Sequence, residues 1–274
     1  MPPTTRAAPV IAILSDFGYR DHYAGVMKGV IARIAPRAHI IDLTHGIPPQ
    51  AIAAGALALA QSWRYFPART IFLAIVDPGV GTGRLPVAIE TRAGARFVGP
   101  DNGLLSLAAA DAGVRRIVEL KSPRFRLRDT SSTFHGRDIF APAAAWLARG
   151  ASIRALGPGV DKLTSLALPM PSLRARQIRG EVIYVDGFGN LITNISATIL
   201  ARLADSFRTK PLSVRINGSA AIKIYRAYGD APAGGLLATV GSFNLLEIAI
   251  RDGDAALHCR ARAGTGVIVA VGRA

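Results

Sequence analysis

The 274-residue chain has a single cysteine, Cys259, so it can form no internal disulfide and no thiolate metal cluster. A buried, inert thiol is its expected state. The glutamates and histidines nowhere fall into HExxH or a comparable ligand spacing, and no metal is expected. No apolar run approaches the roughly 18 residues that a bilayer crossing needs, because Asp, Arg, Gly or Pro interrupts each one. The opening Met-Pro-Pro-Thr-Thr-Arg-Ala-Ala-Pro lacks the apolar core of a signal peptide, which predicts a cytoplasmic protein. Lysine is scarce too, with five against 28 arginines.

What is present is mostly apolar. Half of the residues are hydrophobic and the mean hydropathy is +0.30, which suffices for packed cores and excludes a disordered chain. The length suits two domains, since single cores stop growing near roughly 250 residues. The formal charge of +15 raises the question of a polyanionic partner. Its densest runs, Pro123 to Arg128 and Arg174 to Arg179, contain no base-reading aromatics in a known arrangement, so no nucleic-acid partner is expected. Arg126 and Arg128 are read instead as lining the solvent face of a strand.

The apolar run Pro9 to Leu14 ends in Ser15-Asp-Phe-Gly18, the pattern of a buried parallel strand leading into a loop. An amphipathic helix over 23–35, a strand over 39–43, an Ala-rich helix over 51–63 and a strand over 70–76 follow. A hairpin (87–91 and 96–98), a helix (104–112), a strand (117–120) and a closing helix (138–149) complete this half. The alternation predicts an α/β fold with a mostly parallel sheet flanked by helices, and a ligand site at the carboxyl ends of the strands. Glycines and prolines between Gly157 and Pro171 mark a linker. Beyond it, short strands at 178–185, 212–216, 236–240 and 267–271, with a helix near 198–204, predict a smaller β-rich, barrel-like domain. The domains are placed at 1–165 and 173–274.

Polar residues collect where the strands end: Asp16, the turn Asp42-Leu-Thr-His45, Asp77 and Asp101-Asn102. Asp77-Pro-Gly-Val-Gly-Thr-Gly-Arg84 allows close backbone approach to a ligand, but lacks the lysine of a Walker loop and the helix of a dinucleotide fingerprint. In Phe134-His-Gly-Arg-Asp138 the neighbours of the histidine argue against a core role. Asp186-Gly-Phe-Gly-Asn-Leu-Ile-Thr-Asn194 has the parts of a loop that stacks a flat heterocycle and satisfies its edge, or of a plain hairpin turn, and Gly241-Ser-Phe-Asn-Leu-Leu-Glu-Ile-Ala249 is a further such segment. Glu247, set among Leu, Ile and Ala, needs a partner.

In order along the chain, Ser15-Asp-Phe-Gly18 with Asp21, Met27-Lys-Gly29, Asp77-Pro-Gly-Val-Gly81 with Arg84, Gly99-Pro-Asp-Asn-Gly103, Phe134-His-Gly-Arg-Asp138, Phe188-Gly-Asn190 and Ser242-Phe243 with Leu246-Glu-Ile-Ala249 resemble the S-adenosyl-methionine hydroxide adenosyltransferases, relatives of the fluorinases and chlorinases. The resemblance implies attack of water or hydroxide on the ribose 5′ carbon of S-adenosyl-L-methionine, releasing adenosine and methionine without a cofactor. It implies a catalytic set of Asp77, Arg84 and His135, with the histidine accepting a proton or orienting the water. Asp16 would grip the ribose hydroxyls, Asp21, Asp186 and Ser242 the methionine end, and Phe188 and Asn190 the adenine region, with Glu247 also in the binding set. A homotrimer with active sites between subunits is implied as well. Two rival readings are halide transfer and non-catalytic binding of an adenosyl ligand. Halide transfer is disfavoured by His135-Gly136, where the fluorinase pattern has tyrosine and serine, and by the 13 residues between Arg84 and Val98, too few for that enzyme's extra loop. Asn244 departs from the glycine expected after Ser-Phe.

Overall fold

The computed structural model describes residues 7–207 and 211–272 and divides into two compact units, 1–166 and 167–274. In the first, β1 (Val10–Ser15), β2 (His39–Thr44), β3 (Ile71–Ile75), β4 (Pro86–Thr91), β5 (Arg96–Pro100) and β6 (Val114–Glu119) form one sheet in the order β2-β1-β3-β5-β4-β6. The pairs β1–β2, β1–β3 and β3–β5 are parallel, whereas β4 runs antiparallel to both β5 and β6. Helices α1 (Tyr23–Ile34) and α4 (Ala141–Ala148) pack together, as do α2 (Ile52–Ser62) and α3 (Ser106–Ala112). The first pair shares a core with Ile11, Ile13, Leu73 and Val98. Parallel strands buried on both faces read as continuous apolar runs, as β1 and β3 do here. Gly55 of α2 sits so close to Val76 and Leu104 that a Cβ would crowd both.

The expected helix over 138–149 begins differently. Gly136–Phe140 is a π-helical turn, and the α-helix proper starts at Ala141. Pro142 has no N–H for the carbonyl of Asp138 one turn back, and the Leu127 amide takes that carbonyl instead at 2.9 Å. Arg126 and Arg128 are not on a strand. The chain there is a single 3-10 turn, Pro123–Phe125, followed by loop, and the Arg126 guanidinium holds the Leu120 carbonyl. The glycine- and proline-rich segment after Gly157 lies against the first unit as far as Leu166, whose amide donates to Ser106 Oγ at 3.0 Å.

The second unit is antiparallel: β7 (Ser172–Arg174), β8 (Gln177–Val185), β9 (Leu191–Ser196), β10 (Leu212–Ile216), β11 (Ile222–Lys223), β12 (Leu236–Val240), β13 (Leu245–Ile250) and β14 (Gly266–Val271), with α5 (Ala197–Ser206) and α6 (Ala255–Cys259). Their order is β11-β10-β14-β8-β9-β13-β12, with β7 on β8, and a bridge from Ile224 to Ala238 nearly closes a barrel. β8 pairs with β14 along its first half and β9 along its second. It turns that corner at Gly180, where a Cβ would strike Asn194 and Ile195. Sequence reasoning took Leu191–Asn194 and Leu245–Ala249 for ligand loops, whereas both are strands. Cys259 is buried, and burial pushes its thiol pKa up. Among the described residues, no helix is long and apolar enough to cross a membrane.

Candidate active site

In the first unit β2 and β3 flank β1 on opposite sides, so the strand order reverses at the carboxyl ends of β1 and β3, the switch point at which doubly wound sheets place ligands. The register sets Ser15 beside Ile75, so Asp16 and Asp77 leave the sheet from neighbouring strand ends. Asn102 ties down the second exit by donating from Nδ2 to the Val76 carbonyl at 2.8 Å.

Asp77, Arg84 and His135 converge. The guanidinium grips the carboxylate with two donors, Nε to Oδ1 at 2.9 Å and Nη2 to Oδ2, and Nη2 also lies 2.8 Å from His135 Nδ1. Both members of the ion pair are largely buried, at 8% and 7% side-chain exposure, and the guanidinium carbon lies 5.2 Å from the Phe140 ring centroid. Arginine stays protonated and can only donate, so Nδ1 accepts and the proton of a neutral imidazole sits on Nε2. Burial, followed by the Arg84 charge, pushes the His135 pKa below its usual value, which favours that neutral form. The π-helical turn starts directly after His135, an irregularity frequent at functional sites. Phe17, Tyr23 and Phe134 pack edge-on or tilted beside it, with centroids 5.2–6.0 Å apart.

Of the other expected residues in this unit, Asp16 accepts the Gln50 amide on Oδ2 at 2.8 Å, and Asp21 is exposed. In the second unit, Asp186 Oδ1 accepts the amides of Phe188 and Asn190, and its Oδ2 accepts Asn190 Nδ2. This local closure leaves the Phe188 ring 81% exposed. Glu247 is buried and finds its partner in the Tyr228 hydroxyl at 2.5 Å, while Gly241 leaves no room for a Cβ against its carboxylate. Burial and that bond push the Tyr228 phenol pKa up. Ser242 is exposed, and Asn244 holds a left-handed φ of +59°, a conformation asparagine tolerates better than most residues, so the missing glycine is accommodated. Among the described residues, no three His, Cys, Asp or Glu side chains gather as metal ligands would.

Sequence reasoning missed a second polar cluster of Ser15, Lys28, Asp42 and His45. Its members stood in the recognised motifs and in the Asp42–His45 turn, but nothing linked them.

The profile of the SAM hydroxide adenosyltransferase N-terminal domain matches residues 11–157, and that of the C-terminal domain matches residues 180–268. An (R)-S-adenosyl-L-methionine hydrolase of Salinispora tropica is 42% identical over 90% of this chain and 92% of its own, and one of Thermus thermophilus is 40% identical over 89% and 93%. A fluorinase of Nocardia brasiliensis is 28% identical over 99% of this chain and 100% of its own. A crystal structure of a conserved Thermotoga maritima protein superposes with a TM-score of 0.88 at 36% identity, covering 95% of this chain and 99% of the other. The chain therefore belongs to the SAM hydroxide adenosyltransferase family.

Proposed function

We propose that this enzyme hydrolyses (R)-S-adenosyl-L-methionine to adenosine and L-methionine by attack of water on the ribose 5′ carbon. The observation that carries the reading is the convergence of Asp77, Arg84 and His135 beside the carboxyl end of β3. The new bond joins the water oxygen to C5′, and the bond from C5′ to sulfur breaks with its electron pair going to sulfur. Methionine leaves as a neutral thioether, so no general acid is needed on that side, and the proton lost from water passes to solvent. The reading calls for no cofactor, because the sulfonium is itself the activated group.

The task left to the protein is the nucleophile. Bulk water has a pKa of about 15.7, and a fixed guanidinium in a dry site favours the hydroxide-like charge that builds on oxygen. Asp77 holds that guanidinium in one orientation. With Nδ1 engaged by Arg84, His135 presents Nε2–H outward, which favours orienting the water over accepting its proton. Alignment with the carbon–sulfur bond is worth up to roughly 7–11 kcal/mol in ideal cases.

For binding, Asp16 takes the ribose hydroxyls, Asp21, Asp186 and Ser242 the methionine end, Phe188 and Asn190 the adenine, and Glu247 supports the same set. A homotrimer in the cytoplasm, with active sites between subunits, fits this assignment, because a neighbouring subunit would cover the exposed Phe188 ring. Sedimentation at three times the 28.8 kDa chain mass is the expected result, and a monomer that turns over at full rate would contradict it. The activity itself is tested by incubating the protein with S-adenosyl-methionine and chloride or fluoride and separating the products. Adenosine is expected, while a 5′-halo-adenosine would replace this reading with the fluorinase one.

A further inference from the structure

A second run of polar groups lies at the carboxyl ends of β1 and β2, outside the catalytic set. Ser15 and His45 are both fully buried. Ser15 Oγ lies 2.6 Å from His45 Nδ1, and His45 Nε2 lies 3.2 Å from Asp42 Oδ1. Asp42 Oδ2 accepts Lys28 Nζ at 2.6 Å and the Tyr19 hydroxyl at 3.3 Å. A carboxylate only accepts, so the imidazole proton sits on Nε2, leaving Nδ1 to accept from the Ser15 hydroxyl. Burial lowers the His45 pKa, in keeping with a neutral ring. The Phe17 amide completes the series by donating to Ser15 Oγ at 3.3 Å. Every donor then points the same way, from the backbone of residue 17 to the Asp42 carboxylate, and aligned bonds of this kind strengthen one another.

The same residues join two loops. Gly18 N–H donates to the His45 carbonyl at 2.8 Å, and Ile47 N–H to the Ser15 carbonyl at 3.4 Å. Asp16 sits inside this clasp, with Oδ2 held by the amide of Gln50, a residue strained at φ +64°. Its Oδ1 has no partner among the described residues. A buried Ser–His pair leaning on a half-buried aspartate is a costly way to fill space, since a buried member left unpaired incurs a desolvation penalty. What it supplies is a fixed register between the two loops that present Asp16.

We infer that His45, acting through Ser15 and anchored by Asp42 and Lys28, is a positioning residue that holds the Asp16 carboxylate in place for the two ribose hydroxyls. This rests on the assignment of Asp16 to the ribose. The test compares the calorimetric affinities of adenosine and 2′,3′-dideoxyadenosine in the wild type, Ser15→Ala, His45→Gln, Lys28→Met, Asp16→Ala and the Ser15→Ala/Asp16→Ala double variant. Wild type should prefer adenosine. Ser15→Ala and His45→Gln should lose about tenfold of that preference, with Lys28→Met losing less, while dideoxyadenosine affinity stays within about twofold. In the Asp16→Ala background, Ser15→Ala should have no further effect. KM for S-adenosyl-methionine should rise in step, with kcat within about threefold. Full preference retained in the folded Ser15→Ala, His45→Gln and Lys28→Met proteins, or equal loss for both nucleosides, would overturn the inference. A wild type that shows no preference would remove the Asp16 assignment and the inference with it, and is recognised because wild type and Asp16→Ala then behave alike. Lys28, half-buried at the end of the run, keeps the test open if the buried variants fail to fold.

Discussion

Arg84 carries the argument at the scale of single residues. It is buried against Asp77, and removing one partner of such a pair leaves an uncompensated charge. Arg84→Ala should abolish adenosine release and cost about 3–5 kcal/mol in urea unfolding. His135→Ala should abolish release while leaving ligand affinity within about tenfold, so equal turnover in wild type and variant would refute its role. With the His135 pKa lowered and the neutral ring taking the proposed role, kcat should stay flat as pH falls past 6.5 and drop only at lower pH. His45 gives the matching stability effect. Below 6.5 the unfolded chain takes up a proton that the buried native ring resists, so unfolding free energy should decline from about that pH downward, and His45→Gln should flatten the decline. Asp77, Arg84 and His135 were singled out in the sequence through the glycine-rich motifs that carry the family resemblance, and the structure brings the three side chains together. Ser15 and His45 were not, because a hydrogen bond spanning 30 positions leaves no local pattern and Asp42-Leu-Thr-His45 reads as an ordinary turn.

At the scale of elements, the loop after β3 must lie flat against the loop before His135. Gly81 makes this possible: its φ is +78°, and a Cβ would sit 2.6 Å from the Ser132 carbonyl oxygen. Gly81→Ala should therefore lower kcat by displacing Arg84 from His135 while the circular dichroism spectrum stays native; unchanged kcat would show that the two loops are not coupled. Strands β1 and β3 were readable because a buried parallel strand is a plain apolar run. Strands β9 and β13 were hidden, since Thr193, Asn194 and Glu247 interrupt their apolar character. Their polar atoms are satisfied by specific partners, Thr193 Oγ1 by the Leu246 carbonyl, Asn194 by Glu181 N–H and Glu247 by Tyr228. The π-helical turn beside His135 depended on Pro142 acting on a carbonyl one turn earlier, an effect that apolar periodicity does not register.

For the molecule as a whole, a small part of the positive charge behind the net +15 gathers at one place in the first unit. A cleft of about 910 Å³ at the amino ends of the strands is lined by Arg33, Arg37, Arg69, Arg96 and Arg149. Arg33 lies in the last turn of α1, Arg149 caps α4, and Arg96 donates to the Leu147 carbonyl near the end of α4, places where cations offset helix dipoles. Filter binding of RNA or DNA should accordingly show only weak retention that vanishes by about 0.15 M salt. Saturable, salt-resistant binding would point to a polyanionic partner. Attack by water at the 5′ carbon fixes where the new oxygen goes. Turnover of S-adenosyl-methionine in oxygen-18 water, followed by mass spectrometry, should give adenosine carrying one heavy oxygen at its 5′ position and unlabelled methionine. Adenosine without the label would contradict attack by water at the 5′ carbon.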